Sequence, residues 1–186
     1  MTQTLDGLGL ETKYRQFGEE IDVRDAGKVI SGYASIFGVR DEGGDAVAPG
    51  AYGASLKALK AAGRSVKMLW QHDPARPIGV WDEVWEDKKG LFVKGRLLED
   101  VQLGAEAIAL IKARAIEGLS IGYRTRRAEK TSSGGRVLHE VELWEVSLVT
   151  FPMLPEARIG GGARGEEETL AQSLTDIIND ARAQIA

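Results

Sequence analysis

The chain of 186 residues is 43% hydrophobic and 28% charged, with 23 glycines, 5 prolines and no cysteine, the make-up of one ordinary globular domain that needs no disulfide or metal staple to hold a core. The missing cysteines exclude thiol catalysis, cysteine-ligated zinc and disulfide frameworks. The net charge of −4 sits in the tail, where Glu166, Glu167, Glu168, Asp176 and Asp180 face Arg182 alone, so residues 1–164 are neutral. A neutral body without a Lys/Arg block argues against a nucleic-acid footprint, and the local patch Arg124, Arg126 and Arg127 also reads as a solvated strand face. No apolar run approaches the roughly 20 residues of a bilayer span, and residues 1–11 lack a basic start and an apolar middle. The expectation is a soluble, cytosolic protein with no membrane partner.

In chain order, alternation and β-branched or aromatic content predict a strand over 29–37, with 11–16 as its partner. Asp41 to Asp45 is turn chemistry, and Pro49 sits where a proline opens a helix, so 51–62 is expected to be helical, with Leu56, Leu59 and Ala62 inward and Gly63 as its stop. Short strands follow over 66–70, 78–85 and 91–98, separated by Asp/Pro and Asp-Lys-Lys-Gly punctuation, and two of them read as a hairpin. The period then changes: Leu103, Ala107, Leu110, Ile111 and Ala115 predict a helix over 101–117 ended by Gly118. Strands return over 119–126 and 137–151, joined by a loop at 130–135 and closed by Pro152 and Pro155. Residues 160–165 read as a Gly-rich linker, and 166–186 as an acidic tail whose Leu170, Leu174, Ile177, Ile178, Ala181 and Ile185 form an apolar helical stripe.

Three side chains carry chemical promise, and each also has a plain structural reading. His72, one of two histidines, lies at the end of an apolar strand before a turn, where a ring can be held rigidly and still meet solvent; it also fits a turn histidine that satisfies backbone groups. Ser120 follows a helix stop between Gly118 and Gly122, where a peptide backbone could approach; it also fits a half-buried strand hydroxyl. In the alternation Val141, Leu143, Glu145, Ser147 and Val149, one strand face is apolar except at 145 and 147. A carboxylate there is partly desolvated and needs a partner, either a histidine nitrogen or, at an edge, water or Arg124. His139, among acidic neighbours near the hairpin loop, reads as a surface residue. Together, Ser120, His72 and Glu145 supply a nucleophile, a general base and an acid to orient it, the logic of acyl transfer by an activated serine.

Six ordered blocks, GYASIFG at 32–38, DAVAPGA at 45–51, MLWQHDP at 68–74, PIGVW at 77–81, GLSIGYR at 118–124 and LWEVSLVTFP at 143–152, resemble the tailed-phage prohead protease family. The resemblance covers about 29–159 and leaves 1–28 as an N-terminal strand or extension. It implies an α+β fold in which an antiparallel β-barrel-like sheet is ringed by a few helices, as in the herpesvirus assembly protease. It also implies a serine endopeptidase with Ser120 as nucleophile and His72 as base. The herpesvirus enzymes take a second histidine as third member, on the strand after the nucleophile; the matching strand here offers Glu145 rather than His139. Arg124 and the amides around Gly122 remain candidates for the oxyanion donors. No cofactor or metal is implied. The implied partners are the major capsid protein with its scaffold region, the protease itself through autocleavage, and further copies in a homo-oligomer, inside the prohead of a phage or gene transfer agent in the bacterial host cytoplasm. A non-catalytic capsid-assembly module of the same fold is the alternative.

Overall fold

The computed structural model describes residues 4–5, 10–15, 22–25, 28–41, 43–116, 118–132 and 134–150. The expected linker, the acidic tail, Pro152 and Pro155 lie outside the described residues. The elements are β1 (Thr4–Leu5), β2 (Leu10–Arg15), β3 (Asp22–Arg24), β4 (Val29–Ile36), β5 (Ala46–Val47), α1 (Gly53–Ala61), β6 (Lys67–Trp70), β7 (Asp73–Glu86), β8 (Gly90–Leu97), α2 (Gln102–Lys112), β9 (Gly118–Lys130) and β10 (Arg136–Val149).

These strands form one sheet in the order β1-β2-β9-β10-β6-β7-β8-β4-β3, with β5 beside β10. Four strands separate β9 from β4 in that order, yet Cα atoms of the two come within 8 Å. The sheet therefore curls into a half-barrel, as strand twist favours. Its concave face is apolar: Ile30, Met68, Val93, Ile121, Val146 and Leu148 are all buried there. The indole N–H of Trp81 donates to the Val146 carbonyl at 3.1 Å.

The sheet is not wholly antiparallel, because β10 runs parallel to both β5 and β6. No hairpin turn sets these pairings; the chain reaches β10 only after β7, β8, α2 and β9, so its direction follows the path of the chain. One edge of β10 is covered piecewise. β5 pairs at Val137 and Leu138, the Ala51 carbonyl accepts the Val141 amide at 3.0 Å, the Ser55 hydroxyl accepts the Leu143 amide at 2.9 Å, and β6 takes over from Glu145 to Leu148.

Both helix ends teach something about stop signals. α1 closes with Gly63 at φ +61°, Gly63 N–H on the Lys60 carbonyl and Arg64 N–H on the Leu59 carbonyl, the double closure expected of a glycine. Its start differs from expectation: Pro49 and Gly50 form a turn, Ala51 and Tyr52 are fully buried, and Ala62 is exposed. α2 ends five residues before Glu117, with Arg114 in the left-handed region at φ +56° and Ala115 N–H on the Leu110 carbonyl at 2.8 Å. The same closure is thus made by a residue that pays a left-handed strain, Ala115 is exposed, and Gly118 opens β9.

Candidate active site

β9 alternates cleanly. Leu119, Ile121 and Tyr123 enter the core, so Ser120 and Gly122 point to the convex face. On β10, Leu143 pairs with Tyr123 and Glu145 pairs with Gly122, which leaves Trp144 as an extra residue in a β-bulge. That bulge shifts the alternation: Leu143 stays in the core, while Glu145 and Ser147 lie with Ser120 on the other face. The sequence reading that put Val141, Leu143, Glu145 and Ser147 on one face is corrected here, since a period of two does not survive a bulge. Gly122 makes the carboxylate's position available, because a Cβ there would collide with Glu145 Oε1.

His72 arrives from the neighbouring hairpin. Trp70 pairs with Asp73, so Gln71 and His72 are the two residues of the β6–β7 turn, both with positive φ, +53° and +62°. This is the backbone a type I′ turn demands, a place where Asn-Gly is the easy choice. His72 is therefore inside the turn, not at the strand end before it. The turn is held from outside: Gln71 N–H donates to the Leu148 carbonyl at 3.0 Å, Gln71 Nε2 to Thr150 Oγ1 at 2.5 Å, and His72 N–H to Ser147 Oγ at 3.1 Å.

The three side chains meet in one line. His72 Nε2 lies 2.7 Å from Ser120 Oγ, and His72 Nδ1 lies 2.5 Å from Glu145 Oε1. Ser120 is 0%, His72 4% and Glu145 6% exposed, so the polar chain is screened from water and its hydrogen bonds gain strength accordingly. Ser147, also fully buried, donates its hydroxyl to Glu145 Oε2 at 2.6 Å. The sequence reading named its face but gave it no role; a lone polar position among apolar neighbours was the available signal.

His139 stands apart, six residues upstream on β10, with Nε2 at 3.4 Å from Glu129 Oε2. Arg126 is ion-paired with Glu142, and Arg124 lies 5.6 Å from the Trp144 ring centroid. β9 is paired on both sides at Gly122, with β2 and with β10. Gly122 thus lies inside the sheet beside the bulge, and Arg124 and the amides around Gly122 both remain candidates for the oxyanion donors. A cleft of 470 Å³ opens between α1 and β10, lined by Leu59, Lys67 and Trp144 among others, and Lys67 is the ladder partner of Glu145.

A hydroxyl, an imidazole and a carboxylate joined end to end on a β scaffold form the constellation of serine hydrolases. The chain belongs to the caudovirus prohead serine protease family, whose profile matches residues 17–172. It is 34% identical over 134 residues to the prohead protease of Enterobacteria phage HK97, covering 70% of this chain and 58% of that protein. It is also 34% identical over 101 residues to a capsid polyprotein of Pseudomonas phage PAJU2, covering 50% of this chain and 15% of that protein. The chain thus spans less than two thirds of either relative. In fold it is similar to the bacteriophage T4 capsid assembly protease, with a TM-score of 0.61 at 16% identity, covering 77% of this chain and 99% of that one.

Proposed function

We propose that this chain is a serine endopeptidase that matures a phage prohead by cutting the scaffold region of the major capsid protein and itself, inside the assembling particle in the host cytoplasm. The observation that carries the reading is the buried relay from Ser120 Oγ through His72 to Glu145 Oε1. With Glu145 ionised, Nδ1 holds the proton it shares with Oε1, and Nε2 is left as the acceptor facing Ser120. Ser120 Oγ attacks the scissile carbonyl as its proton passes to Nε2; the imidazolium so formed is stabilised by the carboxylate and hands the proton to the leaving amine. Water then repeats the cycle on the acyl group and restores the hydroxyl.

The cleft beside Lys67 and Trp144 is room for side chains of the bound peptide. The choice of substrate is supported by the two curated relatives, one named a prohead protease and one a capsid polyprotein. Autocleavage and a homo-oligomer are part of the same proposal and rest on the family resemblance of the six sequence blocks. The curled sheet with flanking helices also supports the herpesvirus-protease likeness that the sequence motifs suggest.

The test is co-expression with the cognate capsid protein. Wild-type chain should remove the scaffold region and Ser120→Ala should leave it intact, because Ser120 Oγ is the hydroxyl set against His72 Nε2 and its loss removes the group that forms the acyl-enzyme. Cleavage by Ser120→Ala overturns the mechanism. Absence of cleavage by both forms, with the wild type still bound to capsid protein, would replace the protease with the non-catalytic assembly module.

A further inference from the structure

We infer that Ser147 is a positioning residue that sets the imidazole of His72 through two contacts, one to its backbone and one to its carboxylate partner. The inference rests on the proposed roles of Ser120, His72 and Glu145. The Ser147 hydroxyl has one hydrogen, and the geometry spends it on Glu145 Oε2 at 2.6 Å. Its lone pairs face the His72 amide, which donates to Oγ at 3.1 Å. One oxygen atom therefore ties the turn that carries the ring to the carboxylate that orients the ring.

Three consequences follow from donor and acceptor counting. Glu145 is 6% exposed, so an Oε2 without a donor would be a buried, unsatisfied carboxylate oxygen, a costly arrangement. A hydroxyl that donates to Oε2 requires Oε2 to be an acceptor, which disfavours a proton on that atom. With the carboxylate kept as acceptor on both oxygens, the bond to Oε1 is donated by Nδ1, and in the neutral ring Nε2 then faces Ser120 as the acceptor. Ser147 thus favours the tautomer that the reaction needs. The second contact acts on the backbone. A non-glycine residue in the left-handed region is strained, and two in succession, Gln71 and His72, persist only where surrounding structure holds them. The Ser147 hydroxyl is one of those holds. Misplacement of a reacting group by about 1 Å can cost 10²-fold in rate, so a loosened turn is a kinetic defect before it is a folding defect.

The experiment is steady-state peptide cleavage by Ser147→Ala and Ser147→Thr, corrected for active-site titre, with Ser120→Ala run in parallel. Ser147→Ala should lower kcat by about 10- to 100-fold with KM within about twofold, and Ser147→Thr, which keeps a hydroxyl, should recover most of the loss. Because the Thr variant adds a methyl at a fully buried position, a second readout is the downfield proton resonance of His72 Nδ1–H in the folded proteins. It should be sharp in wild type and in Ser120→Ala, and shifted or broadened in Ser147→Ala. Wild-type kcat and an unchanged Nδ1–H resonance in Ser147→Ala, with Ser120→Ala inactive, overturn the positioning role alone. Activity in Ser120→Ala overturns the catalytic reading beneath it, whatever Ser147→Ala shows.

Discussion

The two tight turns at the ends of β7 solve the same geometric task by opposite means. At the β7–β8 end, Asp87 Oδ1 accepts the amides of Lys89 at 2.7 Å and Gly90 at 3.0 Å, Asp87 N–H donates to the Gly90 carbonyl, and no residue of the turn has a positive φ. Its chemistry is local and could be read from Asp-Lys-Lys-Gly. At the β6–β7 end, Gln71 and His72 occupy positions that favour glycine, and their amides are met by β10, more than seventy residues away. The first turn folds its own strands together. The second is held in place by the rest of the sheet, and the strain falls on the residue that faces Ser120.

The largest break in this comparison is His72→Ala. It removes the imidazole that lies against Ser120 Oγ and should lower turnover on the order of 10⁴-fold or more; peptide hydrolysis at saturating substrate measures it, and a loss under tenfold would deny the turn its chemical role. Next is Gly122→Ala, whose Cβ would displace the Glu145 carboxylate from Nδ1. Turnover should fall about 10²-fold, with a stability loss of about 1–3 kcal/mol from overpacking, read by urea unfolding. Asp87→Ala should do the reverse, leaving turnover per folded molecule unchanged while costing about 1 kcal/mol for the lost turn bonds. The pH dependence sharpens that last case. The Tyr33 hydroxyl, donating to Asp87 at 2.5 Å, holds the Asp87 carboxyl below its usual 3.8, aided by the Gly90 and Lys89 amides. A carboxyl depressed in the folded state stabilises above its unfolded value and loses that contribution as pH falls through the folded one. The deficit of Asp87→Ala relative to wild type should therefore shrink on the acid side of 3.8; a deficit constant across that range would show the charge to be irrelevant.

Ser120, His72 and Glu145 were legible because each breaks a local pattern: a hydroxyl between glycines, a histidine among strand residues, an acid among apolar neighbours. Their convergence was suggested by motif resemblance and is a matter of tertiary register that spacing alone does not contain. The bulge at Trp144 was not legible, since nothing in Leu143-Trp-Glu marks an inserted residue. Glu145 was therefore placed on the right strand and the wrong face. β5, two residues long, carries too little pattern to detect, and its parallel pairing with β10 depends on a strand ninety residues downstream. The end of α2 escaped because Arg114 fills a position where glycine is the usual marker.

The piecewise edge of β10 has a consequence for the order in which the molecule becomes competent. β5, the start of α1 and β6 all dock against one strand that is made late, and the same strand supplies Glu145, Ser147 and the Leu148 carbonyl to the turn bearing His72. A nascent chain ending before residue 145 contains the histidine and the serine hydroxyl but has nothing to hold the turn in its left-handed conformation or to accept the Nδ1 proton. Under the proposed mechanism such a chain is unarmed until β10, the last strand among the described residues, joins the sheet.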